Sequence, residues 1–437
     1  YMYERADAKC AVLRERLKNI TDAIVEGARL REDAGEDGFR FSPVNLPSQE
    51  KVYCCGRVCC EGDAGTLNVA SVMLEGANGR RVKLDLASVS DFAMFPGQIV
   101  VVEGYNATGE CIKVAAVHSD ASLPMARTPA SQVALFNETD AYLGGSPLSV
   151  LTAAGPFTAS SDLSYRPLDD LLEHARDSKV DVLILCGPFV DSKHRLLDPA
   201  AAGQPGGFCN GNPPDTYKVM RSVMRQHIIK GLSGSRVTCV VVPSPSDLHA
   251  RPLYPQPAFG GDLIAPGDDD TYTMHEARPL LLSNPCTFKV NEVVFQVATQ
   301  DILLHLSGNE ANRITGDRIS RLGLHVIQQQ SVYPLYPPAE HALVSSALSE
   351  GLALPCTPDI LIVPSNLMPF AKRARDTLMI NPGRLTKGSN AGTFAAVTIH
   401  PILRHIRSGA HKVAAAPPVP PTPATEGGEA ADTPSGK

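Results

Sequence analysis

The sequence predicts a multidomain α+β protein: an N-terminal helix, a small β-barrel, an α/β domain built on a central sheet, and a disordered C-terminal tail. Three observations predict it. Apolar residues near the start recur at three- and four-residue steps, residues 50–120 hold five short strand-like segments parted by Gly, Asn and Asp turns, and beyond residue 147 buried-looking strands alternate with helices.

The helix comes first. In residues 1–34, Leu13, Leu17, Ile20, Ile24 and Ala28 form one apolar stripe, the pattern of an amphipathic helix. Gly35, Gly38, Pro43 and Pro47 then break the period, so residues 35–49 read as a linker. The segments KVYCCGRVCC, TLNVASVMLE, RRVKLDL, GQIVVVEGYN and CIKVAAVHS give residues 50–120 as a barrel. Five strands are compatible with an OB fold, although periodicity alone does not separate that from another small barrel. Residues 121–146, rich in Pro and polar side chains, read as a second linker. In the α/β domain, residues 147–407, strands are expected at 149–154, 182–186, 237–242, 293–298 and 360–363, with helices at 168–176, 217–232 and 318–328. KVNEVVF reads as a hairpin turning at Asn291. Residues 408–437 lack the apolar side chains that would offset ordering entropy, and are expected to be disordered.

Composition narrows the function. The 437 residues are too many for one ordinary core, and 43% hydrophobic with 20% charged is globular composition. No apolar run approaches a bilayer span, so no membrane association is expected. The chain starts at Tyr1 without an apolar leader, which reads as a fragment or a processed start. The 11 cysteines are odd in number and scattered through apolar runs, as in a reducing compartment, cytosol or nucleus. A formal net charge of -6 argues against this chain being the main grip on a polyanion. Any DNA contact should be indirect or weak.

The strand ends carry LTAAGPFTASSDLSY, LCGPFVDSKH, VVPSPSDLHA, VPSNLMPF and INPGRLTKG, where open α/β sheets build their sites. These strings, with HARPLYPQPAF, VYPLYPP and the MFPGQIVVVEG of the barrel, resemble the B-subunit family of the replicative DNA polymerases, in its alpha branch. The likeness runs from Tyr1 to about His400. It implies an OB barrel followed by a calcineurin-like metallophosphoesterase domain. Active members of that fold hold two metal ions with D-x-H, G-D-x-x-D, G-N-H-D/E, a lone His and G-H-x-H loops.

By that resemblance the ligand set is degenerate. Gly155, Pro156 and Phe157 replace D-x-H; Pro188 stands for the bridging Asp, with Asp191 surviving at the end of the loop. Pro245, Ser246 and Asp247 occupy the G-N-H-D position, the lone His falls near Pro364 and Ser365, and Asn381 to Arg384 form a last loop without histidine. Proline offers neither a side-chain donor nor an N–H. The expectation is a pseudoenzyme with no catalytic residue, no metal, no cofactor and no small-molecule substrate. Asp191 and Asp247 read as turn or capping residues.

The remaining signals read as ordinary structure. Cys54, Cys55, Cys59 and Cys60 resemble a zinc set, but residues four apart on a strand lie about 13 Å from each other, so buried strand thiols are expected. His194, His249 and His305 are single, and Lys372, Arg373, Arg375, Arg384 and Lys387 read as solvated basic residues. No phosphate-binding glycine loop or nucleophile elbow is present. The resemblance implies a nuclear scaffold that docks the zinc-bearing C-terminal domain of the polymerase alpha catalytic subunit and, through the complex, meets primase for primer synthesis. An active phosphodiesterase or nuclease and a stand-alone single-strand-binding OB protein are the alternatives.

Overall fold

The computed structural model describes residues 5–30, 41–62, 67–138, 144–197, 215–265 and 278–402. The expected tail at 408–437, and residues 403–407, lie outside them. Helix α1 (Ala6–Leu30) precedes β1 (Ser48–Cys60), β2 (Val72–Glu75), β3 (Arg81–Asp85), β4 (Ala93–Met94), β5 (Ile99–Asn106) and β6 (Cys111–His118). Strands β1, β2, β3, β6 and β5 close in that order into a barrel, with β3 and β6 parallel. This is OB topology. Alternate side chains of each strand point inward, and Val52, Cys54 and Val58 of β1 fill the barrel with Leu74, Val82, Leu84 and Val102.

Next come α2 (Ala130–Glu138), β7 (Leu148–Ala154), α3 (Arg166–Asp177), β8 (Val182–Cys186), α4 (Thr216–Ser222), β9 (Thr238–Val242), β10 (Leu280–Leu281), β11 (Cys286–Val290) and β12 (Val293–Val297). The chain continues through α5 (Ile302–Asn309), β13 (Ala311–Asn312), α6 (Arg318–Gln328), β14 (Ile360–Ile362), β15 (Phe370–Ala374), β16 (Thr377–Asn381), β17 (Thr386–Lys387), β18 (Asn390–Ala391) and β19 (Ala395–Ile399).

Where the sequence suggests one central sheet, the structure has two. One is ordered β10-β9-β8-β7-β19, the other β11-β12-β14-β16-β15. They pack face to face through Val150, Ile184 and Val240 from the first and Phe295, Ile362 and Ile380 from the second. The residues one step along point outward: Leu151, Leu183 and Val241 meet Leu168, Leu172 and Ile228, while Leu361 and Met379 meet Leu306, Leu322 and Val326. The result is a helix–sheet–sheet–helix sandwich. The inner strands of each sheet are buried on both faces, so they read as continuous apolar runs, and nothing in such a run says which sheet it joins.

Other expectations shift locally. Within 121–146, read as a linker, Pro129 starts α2, and Val133 and Asn137 are buried. Asn137 donates to Glu292 and accepts from the Ile402 N–H, so tertiary contacts hold this helix. The helix expected at 217–232 is α-helical only to Ser222 and continues as a π-helical turn, Val223–Ile229. The sequence pattern does not announce strands β15, β16 and β19. Strand β19 runs antiparallel to β7 and closes that edge, and Ser48 brings β1 two residues into the first linker.

Gln329 joins barrel to sandwich. Its side-chain amide accepts from the Ile99 N–H at 2.8 Å and donates to the Ile99 carbonyl at 3.0 Å, both buried. Beside it, β13 pairs with β4, and the Tyr336 N–H donates to the Pro96 carbonyl. Gln329→Leu would leave two buried backbone groups unpaired, at about 1–3 kcal/mol each. The expected result is earlier proteolytic release of the barrel from the sandwich; an unchanged digestion profile would contradict this role.

Candidate functional site

Strands β7, β8, β9, β12, β14 and β16 run in the sandwich with their C-terminal ends at one edge, where a site would be built. The loops there close on each other. The Gly155 N–H donates to the Cys186 carbonyl and the Gly187 N–H to the Val242 carbonyl, both at 2.8 Å. A Cβ on Gly155 would meet the Pro188 carbonyl oxygen at 1.9 Å, and one on Gly187 the Asp247 carboxylate at 2.1 Å. Glycine is required at both by close approach. Phe157 and Phe189 follow those glycines, stack at 4.9 Å between centroids, and are fully buried.

Asp247 is the centre of this edge. Its Oδ1 accepts from the Phe189 and Val190 N–H groups, and its Oδ2 from the Ser244 N–H at 2.8 Å. Burial pushes its carboxyl up to about 7, opposed by these three hydrogen bonds and assisted by the charge of Asp191. Asp191 bridges Asp247 through the backbone and turns its own carboxylate onto the Lys193 N–H at 3.0 Å. Pro188 lies in the buried loop after β8; Pro245 and Ser246 are half-buried, and the Ser246 N–H bonds to the Ser244 hydroxyl at 3.3 Å.

The second sheet supplies the rest. Asn381, at the end of β16, accepts from the Ser365 and Gly383 N–H groups and donates to the Leu367 and Met368 carbonyls. Arg384 donates to the Asn366 side chain at 3.1 Å and to the Gly155 carbonyl at 3.4 Å. Burial holds its guanidinium below the ordinary value, opposed by the charges of Asp301 and Asp191. His194 is buried, with Nε2 on the Ala159 carbonyl and Nδ1 accepting from the Leu196 N–H. Two residues here escape a reading of the sequence. Asp301 caps α5 through the Leu304 N–H and accepts from Ser365 and Asn366, and its place before ILLHL is a capping signal. Tyr165 donates to the Phe189 carbonyl at 2.9 Å.

Elsewhere, the four clustered cysteines lie along one continuous strand, β1, with Cys54 inside the barrel. Burial raises the Cys54 and Cys59 thiols to about 11. His305 bonds to Tyr333, the His249 ring packs on Tyr217, and Arg375 and Lys372 pair with Asp120 and Asp317. Among the described residues no group of three or more His, Cys, Asp or Glu side chains is placed to hold a metal ion.

Barrel, sandwich and closed strand-end loops together define an OB-barrel protein carrying a two-sheet α/β unit whose site edge is knitted shut by its own hydrogen bonds. Residues 150–372 match the family described as the B subunit of DNA polymerase alpha/epsilon, and residues 10–119 match the OB domain of the DNA polymerase alpha B subunit. The chain belongs to the DNA polymerase alpha/epsilon B-subunit family. It is 35% identical to the DNA polymerase alpha B subunit of Rattus norvegicus over 81% of its own length, and 33% identical to that of Schizosaccharomyces pombe over 81%. It spans 55% and 61% of those relatives. An archaeal phosphodiesterase structure covers 58% of this chain and all of its own at 10% identity, with a TM-score of 0.24, too low to bear on the fold.

Proposed function

We propose that this chain is the non-catalytic accessory subunit of a DNA polymerase alpha–primase complex, acting in the nucleus to support primer synthesis. Its partner is the zinc-bearing C-terminal domain of the catalytic subunit, with primase met through the complex. The observation that carries this reading is the closed strand-end edge within a chain of this family. In a calcineurin-like frame the metal pair would sit there, and the residues do not fit it: Pro188 and Pro245 have no donor, while Asp247 and Asn381 spend their polar atoms on backbone groups. Family membership and this donor set support a degenerate phosphoesterase.

The purified chain is expected to bind no stoichiometric manganese and to hydrolyse no aryl phosphodiester; metal analysis and a turnover assay check this. Manganese-dependent turnover lost in Asp191→Ala would overturn the reading. Pull-down against the catalytic subunit's C-terminal domain tests the assembly role, and binding there should raise the melting temperature by mass action. An unchanged melting temperature at saturating partner would count against a scaffold.

The barrel itself is expected to bind single-stranded DNA weakly. Base stacking needs several exposed aromatic faces beside free cations, but of the barrel's aromatics Phe92 and Phe95 are buried and Tyr53 is half-buried, which leaves Tyr105 exposed, and Arg57 and Arg81 both pair with Glu75. Nanomolar affinity for an oligo-dT strand at physiological salt would contradict this.

A further inference from the structure

The N-terminal helix does not complete its own packing. Leu17, Ile20 and Ile24 of its stripe bury against Ile99, Val101 and Ala121. Leu13, one turn earlier, is only half-buried and faces a cavity of about 90 Å³ enclosed by α1, the barrel and the 331–352 loop. Its walls include Leu13, Leu17, Leu335, Val344 and Leu352. An apolar cavity of about 150 Å³ accepts benzene, so this one suits a branched aliphatic side chain. Leu343 and Leu348, 48% and 49% exposed, lie in the same loop.

Among the described residues, two cations at this cavity have no ion-pair partner. Arg16 lines it and donates to the Gln329 carbonyl at 2.8 Å. Among the described residues no carboxylate lies within ion-pair distance of Arg16 or Lys9, whereas Arg57 already pairs with Glu75 at 2.6 Å. Burial, and then the charge of Arg57, pull the Arg16 guanidinium down to about 10. A cation withdrawn from water next to another cation favours an incoming anion. Tyr336 lines the cavity, and Arg57 at 4.9 Å and Lys9 at 5.5 Å lie over its ring. Those cations take up ring surface on which a nucleic-acid base would stack, and an aliphatic slot lies beside them.

We propose that this cavity docks a peptide segment of a partner protein, seating one aliphatic side chain between α1 and the 331–352 loop and setting a carboxylate against Arg16 and Lys9. The assignment rests on the pocket alone and not on the accessory role proposed above.

A displayed library of random dodecapeptides, selected on the whole chain, tests it. Enriched peptides should share an aliphatic residue flanked by Asp or Glu. A labelled peptide from that pool should lose about tenfold or more in affinity, about 1.4 kcal/mol, on Arg16→Gln. Leu13→Phe, which fills the slot, should weaken it comparably, while Arg80→Gln, on the barrel and outside the pocket, should not. Melting temperatures establish that each variant is folded; should Arg16→Gln fail to fold, Lys9→Gln and Leu13→Phe carry the test. Absence of enrichment, enrichment without an acid, binding indifferent to both pocket variants, or competition by oligo-dT would each overturn the proposal.

Discussion

Asp247→Ala is expected to lower the stability of the sandwich by about 3–9 kcal/mol, because it strands three buried N–H groups at about 1–3 kcal/mol each. That is a large share of the roughly 5–15 kcal/mol by which a domain is stable. Urea titration followed by circular dichroism measures it, and a midpoint equal to that of the wild type would sink the structural role. The same carboxyl gives a pH signature. Its folded value, about 7, lies above the unfolded value of about 3.9, so the native state holds the proton more tightly. The stability it contributes is full below about pH 4 and is lost as the pH rises to about 7. Relative to Asp247→Asn, which does not titrate, the wild type should therefore lose stability between about pH 4 and 7. A gap independent of pH would mean the group does not titrate in this window.

Glu310 should show the opposite sign. Its carboxylate, 1% exposed, is gripped by Arg321 through two bonds of 2.9 Å and by His325 Nε2 at 2.9 Å. Burial pushes this carboxyl up, but those hydrogen bonds and charges outweigh it and bring it to about 2. Its contribution is present above about pH 4.3 and is lost as the pH falls towards 2, worth about 3 kcal/mol at neutral pH. Removing the acid in Glu310→Ala leaves Arg321 without its carboxylate, and a loss of about 3–5 kcal/mol is expected. Because the His325 ring meets Phe95 edge-on at 4.9 Å, the damage should reach the joint between barrel and sandwich. Thermal melts at pH 3 and pH 7 check both parts; a variant that matches the wild type at pH 7 would show that the ion pair contributes nothing.

Much of this protein is legible locally. The helical stripe of Leu17, Ile20 and Ile24 marks which face of α1 is covered, and the five strand segments mark the barrel. The runs at β8, β9 and β14 are readable because strands buried on both faces are continuously apolar. The chemistry of the strand-end loops is visible too, since proline and glycine positions declare what they cannot donate. Strands β15 and β19 escape notice for the converse reason: as sheet edges they alternate or carry charge, and Lys372 and Arg373 read as solvated basic residues.

The helical stripe of α1, the barrel segments, the inner strands and the lack of donors at Pro188 and Pro245 are thus written in the chain itself, because they follow from side-chain type and from periods of 3.6 and 2. Folding alone reveals that the strands divide between two sheets, that Asp247 gathers the Phe189 and Val190 N–H groups, and that Leu13 and Arg16 border one cavity with Leu335 and Leu352. Those are meetings of residues far apart in the chain. They depend on which buried faces find each other, and a local pattern carries no information about its partner.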